Sequence, residues 1–201
     1  MNDINENNRT DHILVERVLS GDTNAFSIII SNTERLVAQI VFKMIRNNED
    51  KKDIAQDIYL KTFHKLGTFK FQSKLSTWVA QVAYNTCLNY LERKQLVLLS
   101  NFHSDNETAD ERLGNPKIES EYYDTESAFF KNELSQILKS ETDKLPPLYK
   151  TLITLYHNEE LSYAEITQIT ELPEGTIKSY LFRARKTLKD NLLKNYKKEE
   201  L

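Results

Sequence analysis

Leu161-Ser162-Tyr163-Ala164-Glu165-Ile166, followed after a short gap by Leu172-Pro173-Glu174-Gly175-Thr176-Ile177-Lys178-Ser179-Tyr180-Leu181-Phe182-Arg183-Ala184-Arg185-Lys186, carries the most informative pattern in the chain. Ser162 with Glu165 three residues later is a capping box and predicts a helix start there. Pro173 suits the first turn of a second helix, where its missing N–H costs nothing. Advancing about 100° per residue puts Ile177, Leu181, Ala184 and Leu188 on one apolar stripe, the core face. The opposite face collects Gly175, Ser179, Phe182, Arg183, Lys186 and Lys189, with Lys178 at its border. Two short helices joined by a tight turn, the second basic on its outer face, is how a chain lays a recognition helix in the DNA major groove. Arg and Lys there can reach phosphates or guanine edges, Ser179 can donate to either, and Phe182 can touch a thymine methyl. A solvated charged face is the commoner fate of such a stripe. An exposed Phe among cations and a capped partner helix favour DNA reading, but alone they say only that the chain binds DNA.

The composition allows this. A chain of 201 residues with 39% hydrophobic content can build one large or two small cores. A net charge of -3 restricts nucleic-acid contact to local patches. Between Pro173 and Lys198, Lys178, Arg183, Arg185, Lys186, Lys189, Lys194, Lys197 and Lys198 face only Glu174 and Asp190, whereas the span from Asp105 to Asp143 is strongly acidic. Cys87 is the only cysteine, which excludes an intrachain disulfide and a thiolate metal cluster and fits a reducing compartment. No stretch is expected to approach the roughly 20 apolar residues of a membrane span, and the polar first ten residues do not resemble a signal peptide. The expectation is a soluble, cytoplasmic protein.

Four glycines and four prolines among many strong helix formers predict an all-α chain. Gly21-Asp22 reads as a helix stop and an N-cap between helices near 11–19 and 23–45, and Asn47-Asn48 breaks the second. Further helices are expected over about 50–66 and 76–94, with a loop from Gly67 to Lys74 between them. From about Ser100 to Ser120 the apolar periodicity fades into linker composition. Helical pattern resumes near Thr125, and Pro146-Pro147 starts a helix running to about His157. The expected fold is therefore two small helical domains joined by a flexible acidic linker, the second ending in a helix-turn-helix. Their expected bounds are a disordered 1–10, a first domain 11–97, a linker 98–124 and a second domain 125–198.

In the first domain the helical wheel puts Ile54, Ala55, Ile58, Tyr59, Thr62 and Leu66 inside, and Asp53, Gln56, Asp57, Leu60 and His64 outside. Leu60 ringed by acids and an amide suits docking of a basic partner helix; one stray surface Leu is the plain alternative. The next helix has Val79, Val82, Ala83, Thr86 and Tyr90 as its expected core, leaving Thr77, Gln81, Tyr84, Asn85, Leu88 and Glu92 outside and Trp78 on the flank. With Lys70, Phe71 and Lys74 in the preceding loop, it interleaves aromatics, lysines and amides, as unstacked single-stranded bases require. For Trp78, core packing is at least as good a reading.

Together the two halves resemble a bacterial RNA polymerase sigma factor of the extracytoplasmic-function (ECF) group. Asp53-Ile54-Ala55-Gln56-Asp57-Ile58-Tyr59-Leu60-Lys61 resembles the acidic motif by which that family docks on the clamp helices of the polymerase's largest subunit. Trp78-Val79-Ala80-Gln81-Val82-Ala83-Tyr84-Asn85 resembles the segment that melts and reads the minus-ten element, with the Lys70 to Lys74 loop placed where a flipped base is captured. Leu145-Pro146-Pro147 resembles the start of the domain that rests on the polymerase flap, and the stretch from Pro173 to Arg185 the minus-thirty-five reader. The family usually carries basic residues where this chain has Gln81, Tyr84 and Tyr180, and often a glycine where Glu171 stands.

The resemblance implies a promoter-specificity subunit that binds core RNA polymerase, recognises both elements and melts the minus-ten region, without a catalytic site, metal or cofactor of its own. It implies core docking through Asp53, Gln56, Asp57 and Leu60, and minus-ten contacts by Lys70, Phe71, Lys74, Trp78, Tyr84 and Asn85. It implies minus-thirty-five contacts by Gly175, Thr176, Lys178, Ser179, Phe182, Arg183 and Lys186, and leaves room for an anti-sigma factor, which many relatives have. Three other readings compete. A helix-turn-helix regulator acting without polymerase would need a dimer interface and a ligand or receiver domain, and no heptad or phosphoacceptor pattern is evident. A carboxylate hydrolase using Asp53 and Asp57 would need a metal, and no histidine stands at ligand spacing beside them. An adaptor using only the Leu60 patch would bind polymerase without opening promoters.

Overall fold

Gly21, at a φ of 99°, ends α1 (Asp3–Leu19), and the Asp22 side chain caps α2 (Thr23–Met44) by accepting from the N–H groups of Asn24 and Ala25. The computed structural model describes residues 3–101 and 126–196, all of whose regular elements are helical. Asn47 caps α3 (Asn48–Lys65), a short 3-10 turn follows at Leu66–Thr68, and α4 runs from Leu75 to Asn101. Asp11 on α1 accepts from the Leu75 N–H at 2.8 Å, so the start of α4 is capped from far away in sequence. In the second half are α5 (Glu126–Asp143), α6 (Pro147–Ile153) continuing into a π turn (Thr154–Asn158), α7 (Tyr163–Thr170) and α8 (Glu174–Asn195). The Ser162–Glu165 capping box is formed in both directions. Most of the linker expected over 98–124 lies outside the described residues.

The hub is α2. Its stripe Ala25, Ile29, Thr33, Val37, Ile40, Val41 and Met44 is buried at helical spacing against α1, α3 and α4. Its other side meets α6, so the second half of the chain packs directly on the first. The apolar content of α2 differs from expectation. By length and composition α2 is apolar enough to cross a membrane, although no such stretch was expected. Its apolarity serves the helices packed around it.

The inner face of α3 is as the wheel predicts: Ile54, Ile58, Thr62 and Leu66 are buried, with Ala55 and Tyr59 partly so. On α8, Ile177, Leu181 and Ala184 are completely buried. The face of α4 differs from expectation. Leu75, Val79, Ala80, Ala83 and Cys87 are buried, but so are Thr77 and Tyr84, while Val82 is only half-buried. Two partners account for this, because α4 packs on α2 within its own domain and on α7 of the other.

Candidate nucleic-acid and polymerase interfaces

Asp53, Gln56, Asp57 and Leu60 all stand in solvent on the outer face of α3, and Leu60 keeps 60% of its surface exposed. Phe63, 43% exposed, extends this apolar spot by one turn, a neighbour absent from the sequence reading of the patch. Asp57 pairs with Lys61 at 2.6 Å across one helical turn, a half-exposed bridge worth little to stability. Asp53 and Asp57 have no companions with which to form a metal site: among the described residues, no three His, Cys, Asp or Glu side chains are grouped to hold an ion.

The helix-turn-helix is built from its capped first helix and a strained turn. Glu171, the C-cap of α7, sits in left-handed backbone at φ 59°, ψ 13°, and its N–H donates to the Thr167 carbonyl at 2.8 Å. That conformation costs a non-glycine residue about 1 kcal/mol. Beyond the turn, Gly175, Lys178, Ser179, Phe182, Arg183 and Lys186 are exposed on the outer side of α8, and Thr176 is half-buried. Phe182, at 68%, is the most exposed large apolar side chain among the described residues. Nothing lies within 4 Å of the place a Gly175 Cβ would occupy, so the helix start is open to an approaching surface. Lys178 is held by Glu174 at 2.6 Å and lies 5.1 Å over the Tyr163 ring; the Glu174 carboxylate raises its pKa. Arg185 donates from Nε to His157 Nε2 at 3.1 Å and covers the Tyr156 ring. Burial, reinforced by Arg185, lowers the His157 pKa, which keeps the imidazole a neutral acceptor.

The face of α4 is arranged differently. Lys70 is exposed, whereas Phe71 adopts left-handed backbone (φ 56°) and stacks on His12 with ring centroids 3.5 Å apart. Phe71 also meets Phe69, and Phe69 packs on Trp78 at 5.3 Å, so Trp78 is half-buried at the edge of an aromatic row. Asn85 is partly buried, and Tyr84 retains only 5% exposure. Burial raises the Tyr84 pKa, and the Tyr180 hydroxyl of α8 adds to the rise. A cavity of about 190 Å³ lies beside the loop, lined by Asp11, Asn32, Thr33, Lys74 and Ser76 among others.

Polar contacts between the halves follow the same seam. Lys74 pairs with Glu165 at 2.8 Å, Gln81 donates to Glu171 at 2.8 Å, Arg35 pairs with Glu159 at 2.9 Å and Lys43 with Asp143 at 2.7 Å. Burial alone would raise the Glu165 pKa; the Lys74 ammonium and the Ser162 donors outweigh it and hold the carboxyl below its ordinary value. Arg35 and Glu159 carry no signal in the sequence, and Glu165 and Glu171 stand out there only for a capping box and a turn, not for partners across the seam. Single charges on separate helices carry no local signal that they will meet.

Comparison with known proteins agrees with this architecture. Residues 29–97 match the family described as sigma-70 region 2, and residues 135–188 match sigma-70 region 4. The chain is 31% identical over 186 residues to an ECF RNA polymerase sigma-E factor of Haemophilus influenzae, covering 91% of this chain and 95% of the relative. It is 31% identical over 188 residues to the factor of the same name from Escherichia coli, covering 89% and 92%. Among solved structures it resembles the sigma factor RpoE bound to the anti-sigma factor NepR from Bartonella quintana. That match has a TM-score of 0.64 and 18% identity, covering 85% of this chain and 98% of the other. It also resembles CnrH bound to the cytosolic domain of CnrY, at TM-score 0.61 and 18% identity, covering 93% and 99%. The helical fold, the two family regions and the curated relatives together make this chain a member of the ECF group of sigma-70-family RNA polymerase sigma factors.

Proposed function

We propose that this chain directs core RNA polymerase to promoters by reading a minus-thirty-five element with α8 and a melted minus-ten element with the α4 region. The observation that carries the reading is the outer face of α8. Phe182, Arg183, Lys186 and Ser179 stand exposed beyond a capped partner helix, over a completely buried core stripe. Arg183 and Lys186 supply charge-assisted donors to phosphate or guanine, and Phe182 an apolar contact for a thymine methyl. Gly175 and Thr176 let the helix start approach the groove, and Lys178 must leave Glu174 to join them.

In the first domain, residues 11–97, exposed Asp53, Gln56, Asp57 and Leu60 dock on the clamp helices of the largest subunit. Lys70, Phe71, Lys74, Trp78, Tyr84 and Asn85 receive the melted strand. The second domain, residues 125–198, rests on the flap, and the acidic linker 98–124 passes near the RNA exit path. The activity takes place in the cytoplasm, the chemistry belongs to the polymerase, and binding of free DNA is weak because each module is small. An anti-sigma factor is a further partner class, supported by the solved neighbours, which were captured with CnrY and NepR.

Run-off transcription on a promoter library with core polymerase and the full chain tests this. Transcripts that require the chain are expected; their complete absence would discard the proposal. Transcription-independent repression of duplex promoters would instead favour a regulator that acts without polymerase.

A further inference from the structure

Arg35, Lys74 and Gln81 are bound on the first domain by three acids of the second, spaced six residues apart: Glu159, Glu165 and Glu171. Arg35 directs both Nε and Nη2 to one Glu159 oxygen, at 3.2 and 2.9 Å, donors that can equally meet a phosphate oxygen. The side chains of Glu159 and Glu165 are only 10% and 20% exposed, while those of Arg35 and Lys74 remain 74% and 51% exposed. Tyr84, one turn after Gln81 on α4, is buried. Beside these contacts lies the cavity lined from α2 by Asn32 and Thr33, from the loop before α4 by Lys74 and from the start of α4 by Ser76, about one helical turn from Arg35.

We propose that Arg35, Lys74 and Gln81 form a track for the sugar–phosphate backbone of a single DNA strand, and that the carboxylate row Glu159–Glu165–Glu171 occupies that track in the closed protein. This rests on the function proposed above and adds Arg35 and Gln81 to its strand-binding residues. The row substitutes for phosphate: anionic oxygens meet the same donors, so strand and second domain compete for one surface. Opening is also required by distance. Elements about 25 base pairs apart are separated by ~85 Å at ~3.4 Å per base pair. A 22-residue helix such as α8 spans only ~33 Å at ~1.5 Å per residue, and α4 touches α7. The closed protein therefore cannot hold both elements at once.

The test measures binding of a short, mixed-sequence, fluorescein-labelled DNA strand to the full chain, with the matching duplex as second probe and the radius of gyration followed by X-ray scattering. The triple variant Glu159→Gln, Glu165→Gln, Glu171→Gln keeps the capping box, since Gln serves at that position. It is expected to expand and to bind the strand about three- to a hundredfold tighter, the range three contacts of about 0.2–1 kcal/mol each allow. Adding Arg35→Ala and Lys74→Ala should return affinity to the wild-type level or below. Glu159→Gln alone, outside both helices of the motif, should move in the same direction by less. An expanded triple variant with unchanged strand affinity, an unexpanded one, a gain for duplex only, or a gain that survives loss of Arg35 and Lys74 each overturns the proposal. Run-off transcription by the wild type is read in parallel. Failure there removes the promoter function without deciding the strand measurement, and a wild type that initiates but fails the binding tests loses only the track.

Discussion

α8 and α4 are the two helices proposed to meet DNA, and the closed fold treats them oppositely. α8 buries Ile177, Leu181 and Ala184 on one side and leaves Phe182 68% exposed on the other, whereas α4 is buried on two sides and Tyr84 retains 5%. The outer face of α8 stands open, whereas that of α4 is covered by α7, the first helix of the same motif. A duplex groove can be approached by a preformed helix, while a single strand exists only after melting. A surface for it that stays covered until then binds fewer wrong partners.

The strongest way to break this comparison is to collapse the cover. Ile166 of α7 is fully buried, so Ile166→Ala should cost about 2–5 kcal/mol of second-domain stability. Denaturant titration should show that domain melting first, with α4 becoming more protected by an added strand than in the wild type. Arg183→Ala, on the open helix, should weaken binding to the upstream duplex by about 1–3 kcal/mol if it reads a base. Strand affinity and polymerase binding should stay unchanged, and a parallel loss of strand affinity would erase the distinction between the helices.

Smaller effects sharpen the seam itself. Glu171→Gly relieves left-handed strain worth about 1 kcal/mol while losing the bond from Gln81. Thermal unfolding should rise by a few degrees or less, and the scattering radius should grow. The smallest effect is that of pH and salt on Lys74–Glu165, an exposed pair worth about 0.2–1 kcal/mol. Because the Glu165 pKa is depressed in the folded protein, its contribution is complete above the ordinary carboxylate value of 4.5 and is lost as pH falls through the depressed one. Closure measured by scattering should weaken over that acid range and at high salt, and Glu165→Gln should reduce both responses.

Much was legible in the chain because it is written locally. The Ser162–Glu165 capping box, the stop at Gly21 and the inner faces of α3 and α8 depend on residues within a few turns of one another. The strain at Glu171 could be anticipated as a condition, since a turn that favours glycine favours positive φ, and its φ of 59° meets that condition. Less local features were not legible. The cap on α4 comes from Asp11, and the aromatic row under Trp78 draws in His12.

Local patterning was enough to specify an all-α fold, where most of the described helices begin and stop, and which face of α8 carries the cations. A helix with one buried side leaves a single stripe that its own periodicity reveals. Which face of α4 meets solvent was decided only by tertiary structure. With α2 on one side and α7 on the other, its buried residues run nearly round the helix, and no single period records two partners. The pairing of Arg35, Lys74 and Gln81 with Glu159, Glu165 and Glu171 was likewise decided there, because complementary charge becomes specific only when packing brings the groups within reach.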